Sequence, residues 1–121
     1  MATKTAAQFV MLCMHARTAA HVHHLQTRSY AAHVALQGFY EGLVGFVDAF
    51  AEAYIGEYGL IESYPTAGYK TGDTPMSLVN SFISWIETNR DDICDSSHCQ
   101  NVIDEIVALA YSTRYKLRVL R

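Results

Sequence analysis

Five of the six histidines fall in one stretch: His15, His21, His23, His24 and His33. A buried imidazole needs a hydrogen-bond partner or a cation, so such crowding invites a chemical reason. Asp48 follows His33 by fifteen residues, and Glu52 follows Asp48 by four. In a helix the four-residue step puts both carboxylates on one face. Fifteen steps of about 100° leave His33 and Asp48 about 60° apart around the axis. His33, Gln37, Glu41, Asp48 and Glu52 then form a polar stripe on an otherwise apolar helix. Imidazole and carboxylate together suit iron, manganese or zinc. The plainer reading of His21, His33, Asp48 and Glu52 is a hydrogen-bond network between helices or at an interface, with no metal. His23 and His24 read as hydrogen-bonded or solvent-facing, and His15 as structural. Cys94-x3-His98-Cys99, with Asp95 between, offers three zinc-type donors at a spacing that fits no standard zinc motif, and reads as a helix-linking turn. No nucleophile triad, phosphate loop or dinucleotide fingerprint is present.

Helices must position these groups. Phe9, Leu12, Cys13, Ala16, Ala20 and His24 recur at helical spacing, and so do Leu36, Phe39, Tyr40, Leu43, Val47, Phe50, Ala51, Tyr54 and Ile55. One helix from Thr5 to Glu57 would run ~80 Å, too long for a small domain. The reading therefore breaks it at Gln26–Tyr30, with Thr27 or Ser29 as the cap of the second helix. The segment from Gly56 to Thr74 holds four glycines and Pro65 and divides the chain into two halves. Thr74-Pro75 reads as a cap followed by a first-turn proline, opening a helix that runs to about Ile93. Ser97-His98-Cys99-Gln100 reads as a capping box for the last helix. That helix is expected to bury Val102, Ile103, Ile106, Leu109, Ala110, Leu117 and Leu120. Two helical hairpins joined by about 18 residues suit an all-α, up-down-down-up, ferritin-like four-helix bundle with a long B–C crossover. Gly38, Gly42 and Gly45 cost helix propensity, ~1 kcal/mol each against alanine, and so point to close approach of another helix or subunit.

Composition narrows the classes. The chain has 121 residues, 9 Lys plus Arg and 12 Asp plus Glu, for a net charge of −3. That length suits one domain over residues 1–121, with a core that needs no disulfide or metal. The apolar content rules out disorder. An acidic balance argues against binding DNA by bulk charge, despite Arg114, Lys116, Arg118 and Arg121 near the C-terminus. The longest stretch free of Asp, Glu, Lys and Arg is Thr74–Ile86, 13 residues, below the ~18 a membrane span needs. The first twenty residues read as helix rather than as a cleaved leader. Three cysteines, an odd number, suit free thiols in a reducing cytoplasm rather than a disulfide framework.

The spacing His21-x11-His33-x14-Asp48-x3-Glu52 resembles the ferroxidase signature of the Dps-like mini-ferritins. His33-Val34-Ala35-Leu36, Tyr40-Glu41 and Val47-Asp48-Ala49-Phe50-Ala51-Glu52 match that family's helix B pattern, and Tyr115-Lys116-Leu117-Arg118-Val119-Leu120 resembles the end of its last helix. The resemblance implies a homo-oligomer, a dimer through helices A and B that can extend to a larger shell. It implies ferrous iron oxidised and sequestered at the dimer interface, with His21 and His33 from one subunit and Asp48 and Glu52 from its partner. The cation is expected to be iron, as one or two ions, with zinc or manganese as alternatives that the donors also suit. A second reading is a non-enzymatic helical assembly protein, of a kind a phage could encode, on the same scaffold with a degenerate site. Val22, where the family has tryptophan, favours it.

Overall fold

Two proline-free stretches, each with helical hydrophobic period, become the first two helices. The computed structural model describes residues 3–66 and 72–121. It contains α1 (Thr3–Gln26), α2 (Tyr30–Tyr58), α3 (Pro75–Ile93) and α4 (Ser97–Val119), and no strand among the described residues. The break after Gln26 is built by two hydroxyls. Ser29 caps α2 by accepting from the Ala32 N–H at 3.1 Å. Thr27 Oγ1 accepts from the Ser29 N–H at 3.2 Å and tightens the turn. At the other end of α2, Gly59 takes φ +98°, a conformation that favours glycine, and returns its N–H to Ile55 O at 2.9 Å. Gly56 lies inside α2 rather than in the connection, and Gly68 lies outside the described residues.

α3 opens as its sequence indicates. Thr74 Oγ1 accepts from the Ser77 N–H and Ser77 Oγ accepts from the Thr74 N–H, both at 3.0 Å, with Pro75 following. α4 departs from the expected capping box. Its cap is Ser96, one residue earlier, and no side-chain cap bond forms. Gln100 turns back instead. Its Nε2 donates to the carbonyls of Arg90 at 2.9 Å and Cys94 at 2.7 Å, satisfying the last turn of α3. Arg90 reciprocates, donating to Gln100 Oε1 at 2.9 Å and Asp104 Oδ1 at 2.6 Å. The connection is a polar knot in which Gln100 serves the neighbouring helix rather than its own.

One apolar core joins the four helices. Phe9, Leu36, Phe39, Leu43, Phe50, Tyr54, Phe82, Ile86, Ile103 and Ile106 are fully buried. Phe9 meets Phe50 edge-to-face at 4.8 Å, Phe39 meets Phe82 at 5.6 Å, and Trp85 lies parallel to Phe9 at 6.3 Å. Leu120 departs from expectation: it caps α4 and is 46% exposed, since the helix ends one residue before it. α1 packs on α2 and α3, and α4 packs on the same two helices. The Tyr58 hydroxyl accepts from the Asp95 N–H at 3.2 Å, setting the end of α2 beside the α3–α4 turn. Ser29, Thr74 and Leu117 line one cleft at the opposite end. Each helix is therefore antiparallel to the two helices it chiefly packs against. No helix is long and apolar enough to cross a membrane among the described residues.

Candidate metal centre

The histidine cluster is assembled by the tight α1–α2 turn. His21 and His24, one turn apart near the end of α1, meet His33 and Tyr40 on α2. His24 and His33 form a reciprocal clasp. The Nδ1 of His24 lies 2.7 Å from the His33 carbonyl oxygen, and the Nδ1 of His33 lies 2.8 Å from the His24 carbonyl oxygen. Their rings stack with centroids 3.6 Å apart. His21 lies flat on Tyr40 at 4.2 Å and meets His24 edge-on at 5.8 Å. His24 thus bridges His21 and His33. It is buried, 7% exposed, while His21 stands on the surface.

The two carboxylates are elsewhere. Asp48 and Glu52 are exposed on α2, and among the described residues neither enters an ion pair. Fifteen residues of helix separate His33 from Asp48 by ~22 Å along the axis. Asp48 shares a cleft of about 280 Å³ with Met14, Arg17, Thr18, Val44 and Val47, so Arg17 is a neighbour without being its salt-bridge partner. Glu41, between the two ends of the stripe, accepts from Gln37 Nε2 at 3.0 Å. Among the described residues no three His, Cys, Asp or Glu side chains of one chain converge on a point where an ion could be held. The structure brings His21, His24 and His33 together and holds Asp48 and Glu52 apart from them.

The glycines of α2 divide into two kinds. A β-carbon added at Gly42 would lie 3.0 Å from Leu109 Cδ2, so this glycine serves the approach of α4. At Gly38 and Gly45 such an atom would meet nothing within 4 Å. Both face outward with Val34, Glu41, Asp48 and Glu52.

The cysteine turn holds no ligand cluster. Cys94 and Cys99 are buried, whereas His98 is exposed and pairs through Nε2 with Glu57 Oε1 at 2.8 Å. Burial pushes the Cys94 thiol up to about 12, with Cys99 and the Glu57 carboxylate adding to the effect. A thiol held protonated as Cys94 is makes a poor metal ligand, because only the thiolate binds.

Residues 24–117 match DUF5856, a family of unknown function. The chain belongs to this family. The DUF5856 match contains His24, His33, Asp48 and Glu52, and His21 lies just before it. The chain is also similar to the uncharacterized 14.6 kDa protein of the mobD–ri intergenic region of Enterobacteria phage T4. The two are 27% identical over 112 residues, which cover 91% of this chain and 85% of that protein. No solved structure matches the chain.

His24 is the participant that periodicity hides. Its position fits the apolar period of α1, and it reads as hydrogen-bonded or solvent-facing; the structure shows it hydrogen-bonded and buried. The signal that finds it is its three-residue spacing from His21, which places two imidazoles on adjacent turns of one face. In donor chemistry the set fits a divalent cation. His33 Nδ1 is engaged with a carbonyl, the arrangement that metal-binding histidines commonly show on their second nitrogen. Within one chain the acids are out of reach, so the set is complete only if a second copy supplies them.

Proposed function

We propose that the chain is a Dps-like protein on a ferritin-like scaffold, binding and oxidising ferrous iron at a site shared between two copies. The carrying observation is a coincidence of symmetry on α2. Gly38 and Gly45, two of the three α2 glycines that face open space (Gly56, near the helix end, is the third), lie symmetrically about the Glu41–Gly42 junction. His33 and the midpoint of Asp48 and Glu52 lie symmetrically about the same junction. Two antiparallel copies of α2 that set each Gly38 against a Gly45 therefore also bring each His33 level, along the axis, with a pair of carboxylates. A two-fold contact is self-complementary, so one register satisfies both conditions at both ends. The antiparallel packing of all neighbouring helices supports the up-down-down-up order and the long crossover of the ferritin-like scaffold.

Iron is the substrate here. His21, His33, Asp48 and Glu52 bind it, and the anionic pair favours the more highly charged ferric product. Peroxide or dioxygen receives the electrons. Anaerobic protein should bind Fe²⁺ and turn it over when peroxide is added. His33→Ala and Asp48→Ala should each abolish this, followed as formation of ferric absorbance. Oxidation by both variants at the wild-type rate refutes the reading.

A non-enzymatic helical assembly protein is the second reading. The stacking of His21 on Tyr40, rather than beside His33, favours it. Elemental analysis separates the two, since a metal-free oligomer that ignores added iron fits only the second.

A further inference from the structure

The His24–His33 clasp carries an inference that rests on the iron reading above. A carbonyl oxygen can only accept a hydrogen bond. Each Nδ1 in the clasp must therefore carry a proton and donate it, His24 to His33 O at 2.7 Å and His33 to His24 O at 2.8 Å. A neutral imidazole protonated at Nδ1 keeps its lone pair on Nε2. The His24 carbonyl is one of the last four of α1, which have no partner within their own helix. The His33 ring fills that vacancy, and the stacked His24 ring holds the two backbones in register from the other side. We infer that His24 is a positioning residue. Through the reciprocal bond and the stack it fixes the tautomer and tilt of His33, so that Nε2 of His33 is the nitrogen offered to a divalent cation. The alternative is a clasp that only staples the hairpin, leaving cation affinity indifferent to it.

Two variants of the full chain separate these roles. His24→Leu removes both the Nδ1 donor and the stacked ring. His24→Asn keeps a side-chain N–H near the place of Nδ1 but has no ring nitrogen to bind a cation. Cobalt(II) alone is the probe, read by its visible absorption. His24→Leu is expected to weaken cobalt binding about tenfold, the effect usual for losing a group that orients a ligand. His24→Asn is expected to bind close to wild type. A leucine variant with wild-type affinity overturns the proposal, and so does an asparagine variant as weak as the leucine one. Nitrogen-15 NMR of the wild-type chain gives a readout that needs no variant to fold. It should show His33 protonated at Nδ1 and bare at Nε2 before cobalt is added, and the opposite tautomer overturns the proposal. Cobalt binding that is lost in His33→Ala yet indifferent to residue 24 overturns this inference alone. A wild-type chain that binds no cobalt overturns the iron reading and this inference with it.

Discussion

Cys13 sits in the core with no exposed surface, and burial holds its thiol well above the ordinary value near 9. The Cys94 thiol is raised as well, to about 12. Below pH 9 the folded and unfolded chains both keep these protons, and the stability from burying neutral thiols is fully present. Above pH 9 the unfolded chain gives up protons that the folded chain retains, so stability falls as pH rises. For Cys13 the expected slope is about 1.4 kcal/mol per pH unit. Urea midpoints compared at pH 8 and pH 10 should show the loss, and Cys13→Ala should lessen it, leaving the part due to Cys94. A variant whose midpoint falls as steeply as wild type would place the alkaline sensitivity elsewhere. At this scale the sequence was only partly legible. The turn hydroxyls Thr27, Ser29 and Thr74 announce themselves, because short polar side chains before an apolar period have few other uses. Gln100 misleads, because the same amide fits a cap on its own helix and the orphan carbonyls of the one before. Only the path of the chain decides between them.

The face of α2 makes the next level of argument. Gly42 abuts Leu109, while Gly38 and Gly45 face open space. Replacing Gly42 by valine forces a branched side chain against Leu109 and is expected to cost about 1–3 kcal/mol, read by thermal or urea unfolding. Gly45→Arg should leave the helical signal and the unfolding midpoint of the dilute chain near wild type. It should abolish self-association in sedimentation equilibrium. An arginine variant that still pairs as wild type removes this face from the interface. The four helices were readable from their hydrophobic period, and the starts of α2 and α3 from Ser29 and Thr74-Pro75, since those positions combine strong local preferences. The end of α2 was not, because Gly56 reads as the start of the connection and the helix runs on to Tyr58, capped by Gly59. What each glycine answers to was not readable. A one-dimensional pattern registers that a side chain is missing, not whether the space it leaves belongs to Leu109 or to another molecule.

At the scale of the whole molecule, the proposed shared site makes a prediction that no single-chain site can imitate. His33→Ala and Asp48→Ala chains, each inactive alone, should regain activity when refolded together. In a mixed pair one site carries both lesions and the other carries none. Random pairing makes about half of the pairs mixed, so about a quarter of wild-type ferrous oxidation is expected. No recovery, in a mixture shown by mass to contain mixed pairs, excludes a site divided between copies. That four helices pack together, with no strand among the described residues, followed from the hydrophobic period and the breaks between the helices. The separation of the acids from the imidazoles did too, because residue count along one helix fixes it. The His24–His33 clasp did not, because two residues on different helices face each other only once the turn between them is built.

The parallel contact of Trp85 with Phe9 gives the molecule an internal gauge. The chain has one tryptophan, so all of its indole emission comes from the seam between α1 and α3. Phe9 stands ~18 Å along α1 from His21. Fluorescence therefore follows the parting of that seam while remaining blind to loosening at the histidine end. Melting curves taken by light and by imidazole resonances measure two distant districts of one small protein, and any gap between them records how tightly those districts are coupled.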